Sequence, residues 1–316
     1  MNPETLMGLA IDYSRKIDPH LVHPNPRVGT AFLSDCGKLI LGAHKIYGGD
    51  HAEIDCLKKI RSRSLCPSKG VWAVSLEPCS HRGKTPPCVD ALIDAGIRQI
   101  FIGATDPNPL VNGKSIVRLR ENGVEVSEGV LEERARNLNS EWHFAHENQR
   151  PYIILKLATS LDGAFFSENG QSQWITGKAA RKESHKLRAQ CDAIVGTVKS
   201  VESDQAKMNV RYGFERHLRK QPDLILLSRG HRWLKEGVPS DHPCCADQCR
   251  EVVVQKVANF EAFFRELYTE SGIIKVLIET GPELIHNLLS RGLFDELCWF
   301  KSSKILGGRG AGRISA

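Results

Sequence analysis

The chain has 316 residues, of which 41% are hydrophobic and 25% are charged. These fractions are typical of globular chains and exclude a disordered, collagen-like or coiled-coil protein. At roughly 150 residues per domain, the length predicts two domains. No apolar stretch approaches the roughly 20 residues of a membrane-spanning helix. The first 16 residues include Glu4 and Asp12 instead of a long apolar core, so they do not form a secretory signal. We therefore expect a cytoplasmic protein.

Positive charge is concentrated in one segment. The whole chain has 43 basic and 37 acidic side chains, a formal net charge of +6. Residues 1–150 hold 19 basic and 18 acidic side chains, whereas residues 178–220 hold 11 and 5. This basic segment fits a phosphorylated small molecule or a nucleic acid, and it fits a solvated basic helix equally well.

Apolar runs alternate with helical patterns along the chain, which predicts α/β architecture. In the first half we predict a hairpin at 30–43, helices at 51–61, 88–95 and 131–146, and strands at 71–76 and 99–104. A polar stretch ending in Pro151 predicts a domain boundary, which gives domains 1–147 and 148–316. In the second half we predict strands at 152–157, 192–198, 223–227, 252–254, 275–278 and 297–300, and helices at 178–190, 260–268 and 283–289.

The strongest chemical signal is His51-Ala52-Glu53, followed by Pro78-Cys79 and then Cys88. One imidazole and two thiolates suit Zn²⁺, and three protein ligands leave a fourth position open, as in catalytic zinc sites. Water at that position loses a proton near neutral pH, and a nearby carboxylate can shuttle the proton. We therefore predict His51, Cys79 and Cys88 as metal ligands and Glu53 as the catalytic residue. A structural zinc without catalysis is the alternative.

The pattern matches the H-x-E…P-C-x-x-C signature of zinc nucleobase deaminases, except that eight residues separate Cys79 from Cys88. Residues 76–88, with this longer spacing, resemble the deaminase domain of the bifunctional riboflavin-biosynthesis deaminase/reductase family. Three further segments resemble that family's substrate loop, first zinc segment and phosphate-side turn: residues 23–29, residues 44–53 and residues 106–109.

The resemblance implies a cytidine-deaminase-like, three-layer α/β/α first domain. Its substrate would be 2,5-diamino-6-ribosylamino-4(3H)-pyrimidinone 5′-phosphate. Zinc-bound hydroxide would attack the amino-bearing ring carbon, Glu53 would move the protons, and ammonia would leave. The resemblance also implies contacts to the ring, sugar and phosphate of the substrate from Asn25, His44, Lys84, Thr85, Asp106 and Asn108.

Residues 156–163, 172–176, 187–194 and 306–308 resemble the reductase domain of the same family. This resemblance implies a dihydrofolate-reductase-like α/β domain that uses NADPH to reduce the ribosyl side chain to ribityl. It also implies a homodimer or homotetramer that associates through this half, with neither a nucleic acid nor a membrane as partner. The implied NADPH contacts are Ala158, Trp174, Ser200, Asp204 and Gly281, and the implied substrate contacts are Ser172, Arg188, Met208, Arg211 and Glu279.

Three features depart from the family pattern. Asp204-Gln205-Ala206 stands where the family has Asp-Asp-Pro or Asp-Asn-Pro, and Ser200 stands where it has threonine. The family's chains continue with closing strands, whereas this sequence stops at Ala316. Because of these departures, two alternatives stay open. The reductase sheet can be truncated at its C-terminus, and the protein can then be a deaminase whose second domain acts only as a scaffold. A nucleic-acid-editing deaminase is less favoured, because the first half is nearly neutral. A preference for NADPH over NADH is also open.

The remaining cysteines carry weaker signals. Cys244, Cys245 and Cys249 lie close to His242, but their spacing matches no zinc pattern, so we interpret them as loop thiols. The isolated cysteines are interpreted as small apolar core residues: Cys36, Cys56, Cys66, Cys191 and Cys298.

Overall fold

The computed structural model describes residues 1–80, 86–166, 175–246 and 250–307. The chain divides into two compact units, Met1–Glu147 and Asn148–Ala316. Both are α/β units built on one sheet each. In the described part of the chain, no helix has both the length and the apolar surface needed to cross a membrane.

The first unit has a five-stranded sheet in the order β2-β1-β3-β4-β5. The hairpin pairs β1 antiparallel with β2, β1 is also antiparallel to β3, and the remaining pairs are parallel. The strands are β1 (Gly29–Ser34), β2 (Leu39–Ala43), β3 (Gly70–Leu76), β4 (Gln99–Ala104) and β5 (Glu125–Ser127). The helices are α1 (Pro3–Arg15), α2 (Pro19–Val22), α3 (Ala52–Ser62), α4 (Cys88–Asp94), α5 (Lys114–Glu121), α6 (Glu132–Leu138) and α7 (Ser140–Asn148).

Helices cover both faces of this sheet, which makes the three layers. On one face, apolar residues of α1 and α6 pack on the strands, among them Met7, Ile11 and Ala135. On the other face, α3, α4 and α5 contribute residues such as Leu57 and Leu92 to a second buried cluster. The first turn of α3 approaches β2 so closely that a Cβ on Gly42 would lie 2.3 Å from the Ala52 carbonyl oxygen. Glycine therefore allows the start of α3 to seat against the sheet.

The second unit has a six-stranded, wholly parallel sheet in the order β11-β6-β10-β7-β8-β9. Most of its strands are continuous apolar runs, as expected for parallel strands covered on both faces. The strands are β6 (Tyr152–Thr159), β7 (Ala193–Thr197), β8 (Asp223–Leu227), β9 (Val252–Gln255), β10 (Lys275–Glu279) and β11 (Glu296–Lys301). The helices are α8 (Lys178–Arg188), α9 (Val198–Asp204), α10 (Trp233–Glu236), α11 (Phe260–Thr269) and α12 (Pro282–Ser290), with 3₁₀ turns at Phe214–His217 and Pro243–Cys245.

The α/β fold class is confirmed, and three local predictions are wrong. The helical segment 131–146 is two helices that break at Asn139, whose side chain bonds the backbone of Arg27. The strand predicted to 198 ends at Thr197, which caps α9 by accepting from the Ser200 N–H. Cys36 and Cys66 are exposed instead of buried. Each side chain lies about 3.1 Å from a nearby serine hydroxyl, that of Ser34 or Ser68.

Candidate active sites

Two helix N-termini and one strand end place the predicted metal ligands. His51 is the residue just before α3, and Cys88 is the first residue of α4. Cys79 follows β3 after the connecting residues Glu77 and Pro78. The partial positive charge at a helix N-terminus stabilises a thiolate, so the start of α4 favours an ionised sulfur at this site.

The three side chains converge as a zinc site requires. The His51 Nδ1 atom lies 3.6 Å from Cys79 Sγ and 3.2 Å from Cys88 Sγ. All three ligand atoms lie within 4.8 Å of one another. Tetrahedral zinc with the usual bond lengths separates nitrogen and sulfur ligands by about 3.6 Å. The donor set and its spacing therefore fit Zn²⁺.

The electrostatics of the two cysteines support the same conclusion. The neighbouring Cys88 and the His51 imidazole lower the pKa of Cys79 to about 4. Cys79 and burial raise the pKa of Cys88. The Cys88 backbone N–H also donates to Cys79 Sγ at 3.3 Å. A bound cation would relieve the repulsion between these two neighbouring sulfurs when both are ionised, as metal binding does at thiolate sites.

Glu53 lies in the first turn of α3, with 3% of its surface exposed. Burial and, next to it, the neighbouring Cys79 raise the pKa of its carboxyl group to about 7. Its carboxyl group hydrogen-bonds the Cys88 thiol, but Glu53 is not among the three clustered ligands. A carboxylate beside a metal site that does not coordinate the metal is placed for proton transfer.

Asn25 and His44 lie together next to the metal ligands. The Asn25 amide donates to His44 Nε2 at 3.2 Å, and His44 Nδ1 donates to the Asp50 carbonyl oxygen at 2.9 Å. Burial lowers the pKa of His44, which favours the neutral ring that this pair of bonds requires. The His44 and His51 ring centroids are 5.3 Å apart. The structure therefore brings both predicted contacts to the metal site.

Asp106 and Asn108 lie in the loop after β4. The Asp106 side chain is buried and accepts from the Asn108 N–H at 3.0 Å and from Trp142 Nε1 at 2.9 Å. The predicted contacts Lys84 and Thr85 lie outside the described residues.

In the second unit, the ends of α8 and β10 form a buried charged cluster. Arg188 donates to both Glu279 carboxylate oxygens, at 2.7 and 2.8 Å, and to the Asn209 carbonyl oxygen at 2.8 Å. Lys156 Nζ lies 3.5 Å from Glu279 Oε2. Burial alone would raise the pKa of Glu279, but Arg188 and Lys156 outweigh it and hold that pKa well below its ordinary value.

Two other predicted substrate contacts approach this cluster. The Arg211 N–H donates to His185 Nδ1 of α8 at 3.0 Å. Met208 and Glu279 both lie close to Gly196 of β7. A Cβ atom built on Gly196 would be 3.4 Å from Met208 Cε and 3.3 Å from the Glu279 carbonyl oxygen. The structure therefore gathers Arg188, Met208, Arg211 and Glu279 around the ends of α8, β7 and β10, while Ser172 lies outside the described residues.

The carboxyl ends of β7 and β10 meet where the sheet changes direction. From β7 the chain runs through α9 to β8, and from β10 it runs through α12 to β11 on the opposite side. A crevice at such a switch point is the usual nucleotide site of an open parallel sheet. Gly281 precedes α12 without a side-chain cap, so the first N–H groups of α12 are available to an anion.

This crevice fits NADPH at its pyrophosphate. A Cβ on Gly281 would lie 3.6 Å from the Ser200 hydroxyl, so the two helix starts are adjacent. The Ser200 and Thr197 hydroxyl oxygens are 2.8 Å apart. Ala158 belongs to β6, and Asp204 is the last residue of α9. Trp174 lies outside the described residues.

Three residues at these sites were not predicted from the sequence. Lys156 is a lone charged residue in the otherwise apolar strand β6, and such a charge is a sequence signal that could have identified it as a site residue. Glu77 accepts from three backbone N–H groups, those of Asp106, Gly113 and Ser115. Neither this anchoring nor the Trp142 contact to Asp106 has a local sequence signature.

Fold and sites define a class of enzyme, a zinc-dependent deaminase joined to a nucleotide-dependent reductase. The family model for the cytidine and deoxycytidylate deaminase zinc-binding region matches residues 1–104, and the model for the RibD C-terminal domain matches residues 151–315. The chain belongs to the RibD family, and it is a bifunctional deaminase/reductase of riboflavin biosynthesis with Zn²⁺ and NADPH as cofactors.

Relatives match most of the chain. The riboflavin biosynthesis protein RibD of Aquifex aeolicus is 35% identical over 95% of this chain and 87% of its own length. RibD of Escherichia coli is 32% identical over 97% of this chain and 89% of its own length. The structure of Acinetobacter baumannii RibD superposes with a TM-score of 0.84 at 30% identity, covering 99% of this chain and 89% of that one. A diaminohydroxyphosphoribosylaminopyrimidine deaminase/5-amino-6-(5-phosphoribosylamino)uracil reductase from Thermotoga maritima gives 0.79 at 30% identity, covering 98% and 89%.

Proposed function

We propose that the first domain, residues 1–147, deaminates 2,5-diamino-6-ribosylamino-4(3H)-pyrimidinone 5′-phosphate. The second domain, residues 148–316, then reduces the ribosyl side chain of the product. The observation that carries the first assignment is the cluster of His51, Cys79 and Cys88 with the buried carboxyl group of Glu53 beside it. The Thermotoga maritima relative is named for these two activities.

In the deaminase, His51, Cys79 and Cys88 hold Zn²⁺. When bound, the zinc supplies a water whose pKa falls to near 7. Glu53 accepts a proton from the attacking water and returns it to the departing amino group, which leaves as ammonia. Its burial excludes competing solvent, and its raised pKa of about 7 lies close to that of the water from which it takes the proton.

The other side chains of this site hold the substrate. The Asn25–His44 pair, joined at 3.2 Å, lies beside the metal ligands and orients the ring. Asp106 and Asn108 bind the ribose side, and Lys84 and Thr85 bind the phosphate. A lysine and a threonine after glycine suit a phosphate, because they offer a charge and a hydroxyl donor.

In the reductase, the crevice between β7 and β10 receives NADPH, which supplies the hydride. The backbone N–H groups of Glu283 and Leu284, in the first turn of α12 after Pro282, bind its pyrophosphate, and Ser200 contacts it from α9. Ala158, Trp174 and Asp204 complete the cofactor side. The substrate contacts are Ser172, Arg188, Met208, Arg211 and Glu279. Arg188 and Glu279 hold each other in a fixed bidentate geometry, which orients both toward the sugar.

Replacing Glu53 tests the deaminase assignment. Glu53→Gln keeps the shape of the side chain but cannot accept a proton, so we expect ammonia release to fall by about 10²–10⁴-fold. Zinc content and NADPH oxidation with the deaminated intermediate should stay at the level of the unmodified chain. Full ammonia release by E53Q with zinc retained would remove Glu53 from the mechanism. Lost NADPH oxidation would contradict the division of the two activities between the domains.

We further propose that the protein works in the cytoplasm as a homodimer or homotetramer joined through the reductase domain. The resemblance of residues 148–316 to a domain through which family members associate supports this proposal. Light scattering on the purified chain tests it, and a monomer at micromolar concentration would contradict it.

A further inference from the structure

The buried carboxylate of Glu77 anchors the backbone of the loop that carries Asp106. Glu77 Oε2 accepts from the Asp106 N–H at 3.2 Å and from the Gly113 N–H at 2.9 Å, and Glu77 Oε1 accepts from the Ser115 N–H at 3.0 Å. Glu77 directly precedes the Pro78-Cys79 segment. The backbone of this loop is therefore held in register with a metal-ligating segment.

A separate contact fixes the side chain of Asp106. The indole Nε1–H of Trp142 donates to Asp106 Oδ1 at 2.9 Å, and the Asn108 N–H donates to the same oxygen at 3.0 Å. Asp106 is 6% exposed. Hydrogen bonds to a carboxylate are stronger than neutral ones, so these two donors select one side-chain rotamer and fix the second carboxylate oxygen with it.

Trp142 is itself held in place. It lies in α7, and its ring meets the His146 ring edge-on with centroids 4.5 Å apart. Just before α7, the Asn139 side chain accepts from the Arg27 N–H at 2.8 Å and donates to the Arg27 carbonyl oxygen at 2.7 Å. The start of α7 is thereby tied to the loop that carries Asn25.

From these contacts we propose that Trp142 is a positioning residue of the deaminase, which sets affinity for the sugar-phosphate part of the substrate through the carboxylate of Asp106. The inference rests on the proposed function, because that function places Asp106 on the ribose side. Trp142 lies outside residues 1–104, which match the zinc-binding region. It acts on the orientation of Asp106 and leaves proton transfer by Glu53 untouched.

The test is the steady-state kinetics of ammonia release by Trp142→Phe, which keeps an aromatic ring and removes the N–H donor. We expect KM for the phosphorylated substrate to rise about tenfold, with kcat within about twofold, because a charge-assisted hydrogen bond is lost while the reacting groups remain. Zinc content should be unchanged. A KM within twofold of that of the unmodified chain would overturn the inference.

Trp72→Phe is the matched control in the same domain. Its indole N–H donates to the Pro67 carbonyl oxygen at 3.1 Å, and Trp72 lies in β3, outside both the Asp106 loop and α7. This variant also loses one indole hydrogen bond, so it reports the effect of general destabilisation. A rise in KM for W72F equal to that for W142F would assign the effect to stability and overturn the inference.

A double-mutant cycle with Asp106→Asn separates this inference from the proposed function. If Trp142 acts through the carboxylate, adding W142F to D106N should change KM by less than about twofold. If the double variant instead raises KM by the product of the two single factors, Trp142 acts independently of Asp106. That result would overturn the inference while the proposed function stands. An unchanged KM in D106N itself would show that Asp106 does not bind substrate, which overturns both the inference and that part of the proposed function.

Discussion

His143 lies in α7 with 2% of its surface exposed, and neither ring nitrogen has a hydrogen-bond partner among the described residues. Burial, together with the charge of Arg136, lowers the pKa of His143 to about 4. An unfolded histidine takes up its proton near pH 6.5. Between those values the unfolded state binds more protons than the native state, so His143 makes the first unit less stable as the pH falls below about 6.5.

We therefore predict that His143→Leu reduces the acid sensitivity of the first unit. The stability difference between H143L and the unmodified chain should shift in favour of the variant by up to about 1.4 kcal/mol per pH unit between pH 6.5 and 4. Urea unfolding at pH 7, 6 and 5 measures it. His286→Leu, at an exposed histidine of α12, is the control. If the difference in free energy of unfolding between H143L and the unmodified chain did not change with pH, the prediction would be contradicted.

The metal ligands and Glu53 could be predicted from the sequence, because His-x-Glu and Pro-Cys are short patterns on predictable elements. The Arg188–Glu279 pair could not be derived from spacing, because 91 residues separate its partners. Resemblance named both residues without their contact. Trp142 and Glu77 were missed for the same reason. Their roles come from hydrogen bonds between distant segments, which leave no local pattern.

At the scale of elements, α12 begins without a side-chain cap, whereas Asn259 caps α11 by accepting from the Ala262 N–H at 3.1 Å. An uncapped helix start leaves backbone donors unsatisfied. Several other helices, among them α3, α4 and α8, also begin without a side-chain cap. What distinguishes the start of α12 is its place at the switch point of the sheet, where we have proposed that the cofactor pyrophosphate binds.

Gly281→Asp should accordingly move stability and cofactor affinity in opposite directions. The new carboxylate can cap α12 and stabilise the second unit by about 0.5–1 kcal/mol. It also puts negative charge where we propose that the pyrophosphate binds, so we expect the Kd for NADPH to rise more than tenfold. Thermal unfolding and NADPH titration measure the two effects, with Asn259→Asp as the capping control. Unchanged NADPH affinity in G281D would place the pyrophosphate elsewhere.

Most elements were predicted because their periodicity is strong. The strands β4 and β8 occupy the predicted residues. By contrast, the break at Asn139 depends on its bonds to Arg27, a contact across 112 residues. The short helix α9 was missed because only Thr197 marks its start within an apolar run. A tertiary contact therefore decided the break at Asn139 against local propensity, whereas the start of α9 depends on a local cap that the apolar run concealed.

At the scale of the whole molecule, two compact units carry two chemistries with different cofactors. The residues proposed for each activity lie within one unit, so each site can be perturbed alone. The metal site rests on three side chains from the α3 start, the end of β3 and the α4 start. The proposed deamination therefore requires these three residues to bind a catalytic metal.

Elemental analysis combined with ammonia release, on the unmodified chain and on Cys79→Ser, tests that dependence most directly. We predict about one zinc per chain in the unmodified protein, as expected for one three-ligand site. In C79S we predict that both the bound zinc and the release of ammonia are lost, while NADPH oxidation with the deaminated intermediate continues. Ammonia release at the unmodified rate from metal-free protein would contradict the account.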